Sequence, residues 1–347
     1  MWGDRMGTHF VHRLFAFFSV IATSTCACAQ AGNFYAGKTI ELIVSVSAGG
    51  GYDSYARLLA RHMGRFIPGN PNFVVQNMPG AGGVRAANHL YNLASKDGSV
   101  IGMITRELPL LPLLEPNNTG PLFDARRFGW IGSPQQETGL FVLHARSGVR
   151  SLGELTNKEL PVSSTGSGTA PSVYPRVLSD VFGWRFKIIE GFPGSVEALQ
   201  AIETGDVDGH LSGGSSAAFR ARIQPWVEAR QANVMLQMGF RKDPAFPDAP
   251  LAFELATRET DRQLLELVLT PQLMGRPLVA PPGLPPERLE TLRAAFNMAM
   301  KDAQVLAEAQ KQALEIQPVE GAEISRVLDK VYASKPELIE RAQNVLK

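Results

Sequence analysis

A glycine-rich segment between a strand pattern and a helix pattern is the part of this sequence best suited to bind a ligand. Apolar residues alternate over 40–46, and apolar residues recur at helical spacing over 55–63. Glycines let backbone N–H groups face a ligand without a Cβ in the way, and a helix start adds unpaired N–H groups and a partial positive charge. We therefore predict an anion-binding turn, with ligand contacts from Ser47, Ala48, Gly49, Gly50, Gly51, Tyr52 and Asp53.

Two further segments follow neighbouring strand patterns in the first half of the chain. Residues 79–83 read Pro-Gly-Ala-Gly-Gly after the pattern at 73–75, and Arg106 follows the pattern at 100–104. Because the carboxyl ends of parallel strands share one edge, we expect Gly80, Ala81 and Arg106 beside the first turn. Arg106 could pair with a carboxylate. The alternatives that stay open are purely structural turns, a surface charge at Arg106, and an N-capping role alone for Asp53.

The second half of the chain repeats the plan of a strand, a glycine-rich turn and a helix. Residues 165–169 read Thr-Gly-Ser-Gly-Thr between a strand pattern at 161–164 and a helix pattern at 173–182. Hydroxyls and backbone groups before a helix start can hydrogen-bond a ligand, although they could equally be solvated. We assign ligand contacts here to Ser164, Thr165, Gly168 and Thr169, and a further one to Ser212 at the end of the strand pattern 207–212.

The elements that position these turns alternate between strand and helix. The first run reads βαβαβ, which predicts a parallel sheet covered on both faces, and a second α/β run starts near Leu140. Three apolar helical stripes follow, over 289–300, 324–331 and 338–345. We predict two α/β lobes whose turns face each other across a cleft. The chain should cross twice between the lobes, so that the tail helices pack on the first lobe.

Composition limits the classes of function that the chain can have. It has 347 residues, 44% hydrophobic and 19% charged, with a formal net charge of +1. Without a basic run or interleaved aromatic and basic residues, nothing argues for nucleic acid as a partner. Both cysteines, Cys26 and Cys28, lie in the first 29 residues. A chain without that segment has no disulfide framework, thiol nucleophile or cysteine metal ligand.

The N-terminal segment has the pattern of an export signal. Basic residues between Arg5 and Arg13 precede a short apolar run at 14–22, and Ala-Cys-Ala stands before Gln30. We predict that residues 1–29 are a cleavable signal peptide and that the protein is exported. An uncleaved anchor, or a lipid anchor on a cysteine, are the alternatives.

The common catalytic and cofactor motifs are absent from the sequence. It contains no G-x-G-x-x-G fingerprint, no Gly-Lys-Ser/Thr phosphate loop and no G-x-S-x-G elbow. The histidines at 62, 89, 144 and 210 have no partner at metal-ligand spacing, and His62 is expected to be structural. We therefore expect no catalytic residue, no metal and no cofactor, and binding rather than catalysis.

These residues resemble the periplasmic solute receptors of the tripartite tricarboxylate transporters, also called Bug receptors. The resemblance spans roughly Tyr35 to Leu346, and its most specific parts are Gly-Gly-Gly-Tyr-Asp-Ser-Tyr-Ala-Arg at 49–57 and Asn-Met-Pro-Gly-Ala-Gly-Gly at 77–83. Further matches are Asp-Gly at 97–98, the turn at 164–169, Gly-Asp-Val-Asp at 205–208 and Val-Ala-Pro-Pro-Gly at 279–283. Together they imply a type II periplasmic binding fold that holds a small organic acid in its cleft. They also imply partnership with the membrane permease subunits of a tripartite transporter.

The resemblance implies further site residues and the lobe boundaries. A third contact falls on Phe192, Pro193 and Gly194, where the family usually has tyrosine, lysine and glycine. Here the phenol and the amine are missing, Ser47 and Ala48 replace the usual prolines, and Tyr52 is bulkier than the common threonine. These departures leave open whether the ligand is one of the usual dicarboxylates. We expect a monomer, with lobe 1 formed by 30–137 plus 241–347 and lobe 2 by 138–240.

Two other functions remain open at this point. The same binding could serve a signalling receptor instead of a permease, and genes neighbouring this one would discriminate between those roles. An enzyme acting on an organic acid in the cleft is the third possibility, although no nucleophile–base pair supports it.

Overall fold

The chain folds into two β-sheets, each covered by helices. The computed structural model describes residues 34–117, 120–165, 169–192, 195–211 and 217–347. The strands are β1 Thr39–Val44, β2 Asn72–Asn77, β3 Val100–Met103, β4 Gly129–Ser133, β5 Gly139–His144, β6 Leu160–Ser163, β7 Phe186–Ile189, β8 Gly209–Leu211, β9 Ala232–Met238, β10 Leu278–Ala280 and β11 Val319–Glu320. The helices are α1 Gly51–His62, α2 Val84–Asn92, α3 Leu111–Leu114, α4 Ala170–Phe182, α5 Ser195–Thr204, α6 Ala217–Glu228, α7 Ala252–Leu255, α8 Glu259–Leu269, α9 Pro286–Ala299, α10 Ala303–Lys311, α11 Gly321–Tyr332 and α12 Pro336–Leu346.

The first sheet has six strands in the order β11-β4-β10-β3-β1-β2. Strands β1, β2 and β3 are parallel, with Leu42 opposite Val75 on one side and Ile101 on the other, as the βαβαβ pattern predicts. The sheet also contains β10, which runs antiparallel to both β3 and β4. Strand β10 brings the chain back from the second sheet, so it must run opposite to the strands that lead there.

The second sheet has five strands in the order β7-β6-β8-β5-β9. Strands β6, β7 and β8 are parallel, whereas β5 runs antiparallel to β8 and β9. Strand β5 is the first strand after the crossover from the first sheet, as β10 is the first strand after the crossover back, and each runs antiparallel to its neighbours. In each sheet the strand by which the chain arrives is reversed relative to the strands that carry the glycine-rich turns.

The first sheet is buried on both faces because β1 is apolar on both. Leu42 and Val44 pack with Leu58 of α1 in one core cluster, whereas Ile43 packs with Leu90 of α2 in another. All of these side chains are fully buried. Burying such a side chain stabilises the fold by roughly 1.5–3 kcal/mol, so β1 anchors the turn that follows it.

The tail helices are divided between the two lobes, which we define here by their sheets. Helices α9 and α11 pack on β4 of the first sheet, as predicted. Helix α12 instead contacts α3, which follows β3 of the first lobe, and α4, which follows β6 of the second lobe, as well as α8. Arg341 of α12 makes ion pairs with Asp180 of α4 at 2.5 Å and with Asp261 of α8 at 2.8 Å. The last helix therefore bridges the lobes, which the stripe of apolar residues alone could not indicate.

The two crossovers between the sheets are paired through their backbones. The N–H of Glu137 donates to the carbonyl of Gln272 at 2.8 Å, and the N–H of Gly275 donates to that of Gln135 at 2.9 Å. Among the residues described, no helix combines the length and the apolarity needed to cross a membrane.

Candidate functional site

The predicted ligand-binding turns lie at one edge of each sheet. Residues 45–50, 78–83 and 104–108 follow the parallel strands β1, β2 and β3. Residues from 164 and from 190 follow the parallel strands β6 and β7. Each group therefore emerges at the carboxyl ends of its strands, where open α/β sheets bind ligands.

The glycine turn after β1 leaves its backbone open. Gly49 has a φ of +89°, which favours glycine, and Gly50 is the N-cap of α1 with an extended backbone, φ −87° and ψ 177°. A Cβ added to Gly49 or Gly50 would meet no atom within 4 Å, and Ser47 and Ala48 are exposed. The start of α1 therefore faces free space, as an anion-binding turn requires.

The Asp53 carboxylate holds this turn from inside. Its Oδ2 accepts from the N–H of Gly49 at 2.9 Å and from Arg57 Nε at 2.8 Å, and its Oδ1 accepts from Asn77 Nδ2 at 3.0 Å. The hydrogen bond from Arg57, with smaller contributions from the other donors, lowers the pKa of Asp53 to about 2. The carboxylate is buried and remains ionised, so its visible role is to fix the conformation of the turn.

Tyr52 joins the glycine turn to two arginines. The guanidinium of Arg276 lies over the Tyr52 ring, 4.4 Å from its centroid, a cation–π geometry. The Tyr52 hydroxyl accepts from the backbone N–H of Arg106 at 3.1 Å. Arg276 also lies directly beneath the turn, since a Cβ on Gly51 would be 3.2 Å from its Nη2.

The two arginines share one buried carboxylate, that of Glu137. Arg276 Nη2 is 2.6 Å from Glu137 Oε1, and Arg106 Nη1 contacts Glu137 Oε2. The side chain of Glu137 is 1% exposed, and those of both arginines are under 10% exposed. Arg106 also pairs with the more exposed Glu107 at 2.9 Å. A carboxylate entering beside the glycine turn would meet buried guanidinium charge close by.

Sequence reasoning identified Arg106 but missed Arg276 and Glu137. Both of the missed residues stand in or next to a crossover, and neither belongs to a motif. Their meeting depends on the pairing of the two crossovers, which no local pattern shows. The Arg276 N–H donates to Ser133 Oγ at 3.0 Å, which fixes the second crossover against the end of β4.

The turn after β2 has an unusual backbone. Gly80, Ala81, Gly82 and Gly83 all have positive φ, and Ala81 at +48° adopts a conformation that costs free energy outside glycine. The Thr105 hydroxyl donates to the carbonyl of Gly82 at 2.8 Å, which places this turn against the loop that carries Arg106. The turn after β2 and the loop after β3 therefore lie together at the edge of the first sheet.

The turns of the second lobe are tied to each other through Ser164. Its N–H donates to the carbonyl of Ile189 at 2.8 Å, and its own carbonyl accepts from Phe192 at 3.3 Å. The Thr165 hydroxyl donates to that of Thr169 at 3.1 Å. Of the other predicted contacts, Gly168, Gly194 and Ser212 lie outside the described residues.

His210 is enclosed within the second lobe. It is fully buried, its Nδ1 lies 3.0 Å from Ser163 Oγ, and burial lowers its pKa to about 4. It is therefore a neutral structural histidine. Within the ranges described, His, Cys, Asp and Glu side chains form no group of three or more that could hold a metal ion.

Comparisons with known proteins test the fold. No protein-family model matches the sequence, and no curated protein matches it. Among solved structures, a TctC solute-binding protein from Polaromonas, without ligand, matches with a TM-score of 0.68 at 20% identity. That match covers 88% of this chain and 99% of the other.

Two more solved structures are similar over nearly their whole length. The periplasmic binding protein BugD matches with a TM-score of 0.63 at 17% identity, covering 90% of this chain and 98% of that one. MatC from Rhodopseudomonas palustris, solved with bound malate, matches with a TM-score of 0.60 at 19% identity, covering 89% and 99%. The expected α/β architecture is confirmed: this chain has the type II periplasmic binding protein fold of the TctC and Bug solute-binding proteins, with two α/β lobes and a cleft between them.

Proposed function

We propose that this protein is a periplasmic receptor that captures a small carboxylated organic solute for a tripartite tricarboxylate-type transporter. The observation that carries the proposal is the open glycine turn, with the guanidinium of Arg276 directly beneath Gly51. A carboxylate placed there would accept hydrogen bonds from N–H groups at the start of α1 and lie close to the guanidinium of Arg276, which also pairs with Glu137.

In this proposal the solute is enclosed by two lobes, 30–137 plus 241–347 and 138–240, that close about the paired crossovers. The first-lobe contacts are those of the turns after β1 and β2 and of Arg106. The second-lobe contacts are Ser164, Thr165 and Thr169, together with Phe192. Closure is stabilised by contacts that the ligand makes only when both lobes touch it.

The similarity in fold also supports the proposed location of the protein and its role as a binding protein. The three similar structures are named as solute-binding or periplasmic binding proteins or solved with an organic acid, and MatC holds malate. We propose by analogy that the chain binds without chemical turnover, is exported after cleavage of residues 1–29, acts as a monomer and delivers its solute to permease subunits.

Thermal unfolding with matched ligands tests the binding claim. We expect malate to raise the unfolding temperature and its diamide, which has a similar shape without charge, to have no effect. At one hundred times its dissociation constant a ligand raises the free energy of unfolding by about 2.7 kcal/mol. A panel of mono-, di- and tricarboxylates in which no acid stabilises the protein more than its amide would contradict the proposal.

A further inference from the structure

An apolar chamber lies between the lobes, next to the candidate site. It is a cavity of about 390 Å³ bounded by the segment 107–117, the first turns of α4, the end of α8 and the end of α12. Its apolar wall is formed by Leu110, Leu111, Leu114, Val173, Val268 and Leu346. The volume falls within the range of small-molecule sites.

The charged groups at the wall of this chamber have partners in the protein. Glu107 pairs with Arg106 at 2.9 Å, and Arg176 lies 3.6 Å from Glu190. Lys347 Nζ donates to Asn344 Oδ1 at 3.0 Å. Because these charges are already engaged, the surface that remains for an occupant is mainly aliphatic, and an apolar group fits it better than a second carboxylate.

The apolar chamber adjoins the candidate site at two places in the chain. Glu107, in its wall, directly follows Arg106, and Ala170, in its opposite wall, directly follows Thr169. On the first-lobe side Arg106 lies between the chamber and Tyr52, which follows the glycines of the turn. Arg106 donates its backbone N–H to the Tyr52 hydroxyl at 3.1 Å and holds Glu107 at 2.9 Å.

We infer that the solute is a carboxylic acid with an aliphatic or aromatic body, whose carboxylate lies at the glycine turn and whose body lies in the apolar chamber. This inference rests on the proposed function and narrows its substrate class. The chamber walls come from both lobes, since α4 belongs to the second and the segment 107–117 to the first. An apolar body there contacts both lobes at once and therefore stabilises the closed form.

A series of straight-chain acids from propionate to octanoate tests the inference by calorimetry. Each methylene buried in an apolar site tightens binding about fourfold, so the dissociation constant should fall stepwise with chain length until the chamber is full. Malate should compete with octanoate, because both carboxylates occupy the glycine turn.

A matched pair of variants assigns the effect to the chamber. Val173→Trp fills part of it from α4, whereas Leu306→Trp places the same ring on α10, where Leu306 is 41% exposed and outside the chamber. We expect Val173→Trp to weaken octanoate at least tenfold and leave propionate within twofold, and Leu306→Trp to change neither.

The outcomes separate this inference from the proposed function. If malate and propionate bind but affinity does not rise with chain length, the inference fails and the proposed function stands. If octanoate binds without competition from malate, the chamber is a separate site and the inference also fails. If no acid binds at all, the proposed function fails and the inference fails with it.

Discussion

Gly50 offers a way to place a negative charge in the candidate site without disturbing the fold. Its extended backbone is open to any residue, and a Cβ there meets no atom within 4 Å. Asp and Asn are both good N-caps, so Gly50→Asp and Gly50→Asn should each preserve the stability of α1. The two variants have nearly the same size and differ in charge, which makes Asn the matched control.

The expected effect follows from the Coulomb interaction between the new carboxylate and the carboxylate of the ligand. Two such charges about 5 Å apart, at an effective dielectric constant of about 20, repel by about 3 kcal/mol. We therefore expect Gly50→Asp to bind malate about 100-fold more weakly than Gly50→Asn by isothermal titration calorimetry. The difference should shrink in high salt. Equal affinities for the two variants, with both folded by circular dichroism, would refute the placement of the ligand carboxylate at the glycine turn.

Three further predictions concern the scaffold. Burial lowers the pKa of His210 to about 4, so on acidification the unfolded chain binds the His210 proton before the folded chain does, and stability falls below about pH 6.5. Urea unfolding should show a loss between pH 7 and pH 4.5 that is about 2.5 kcal/mol larger in the wild-type protein than in His210→Phe. Equal losses in the two proteins would be the contrary result. Glu137→Gln removes the carboxylate that Arg276 and Arg106 share, although Arg106 keeps its pair with Glu107, and should lower the free energy of unfolding by about 3–5 kcal/mol. Glu323→Gln at an exposed pair should lower it by less than about 1 kcal/mol. Similar losses in the two variants would contradict this difference. A Cβ on Gly321 would lie 2.0 Å from a carbonyl oxygen of β4, whereas a Cβ on Gly153 would meet no atom within 4 Å. We therefore expect Gly321→Ala to lower the unfolding temperature strongly and Gly153→Ala to change it little. An unchanged unfolding temperature in Gly321→Ala would contradict this expectation.

The local elements were predictable because periodicity and turn residues carry local information. Strands β1, β2 and β3 and helix α1 stand where the alternating and helical spacings placed them. The parallel register of these strands also follows from the βαβ pattern, since short right-handed crossovers leave few alternatives. The glycine turn could therefore be assigned to a sheet edge from the sequence alone.

The antiparallel strands and the buried ion pairs of Glu137 with Arg106 and Arg276 could not be predicted from local patterns. Strand β10 has only three residues, and its direction depends on the chain returning from the other sheet. Arg276 and Glu137 meet because two crossovers pair, a contact between residues far apart in the chain that leaves no periodic signal. The sequence could not decide the role of Asp53 for a related reason: Asp53 lies on α1, whereas its partner Asn77 lies at the end of β2.

The most direct test of the central claim is an electron density map of the protein purified from its native host and, in parallel, soaked with the acid that raises its unfolding temperature most. The account predicts density for a carboxylate within about 3 Å of the backbone N–H groups at the start of α1, close to the Arg276 guanidinium and enclosed by both lobes. An empty glycine turn in the soaked crystal, with the stabilising acid bound elsewhere, would contradict this placement.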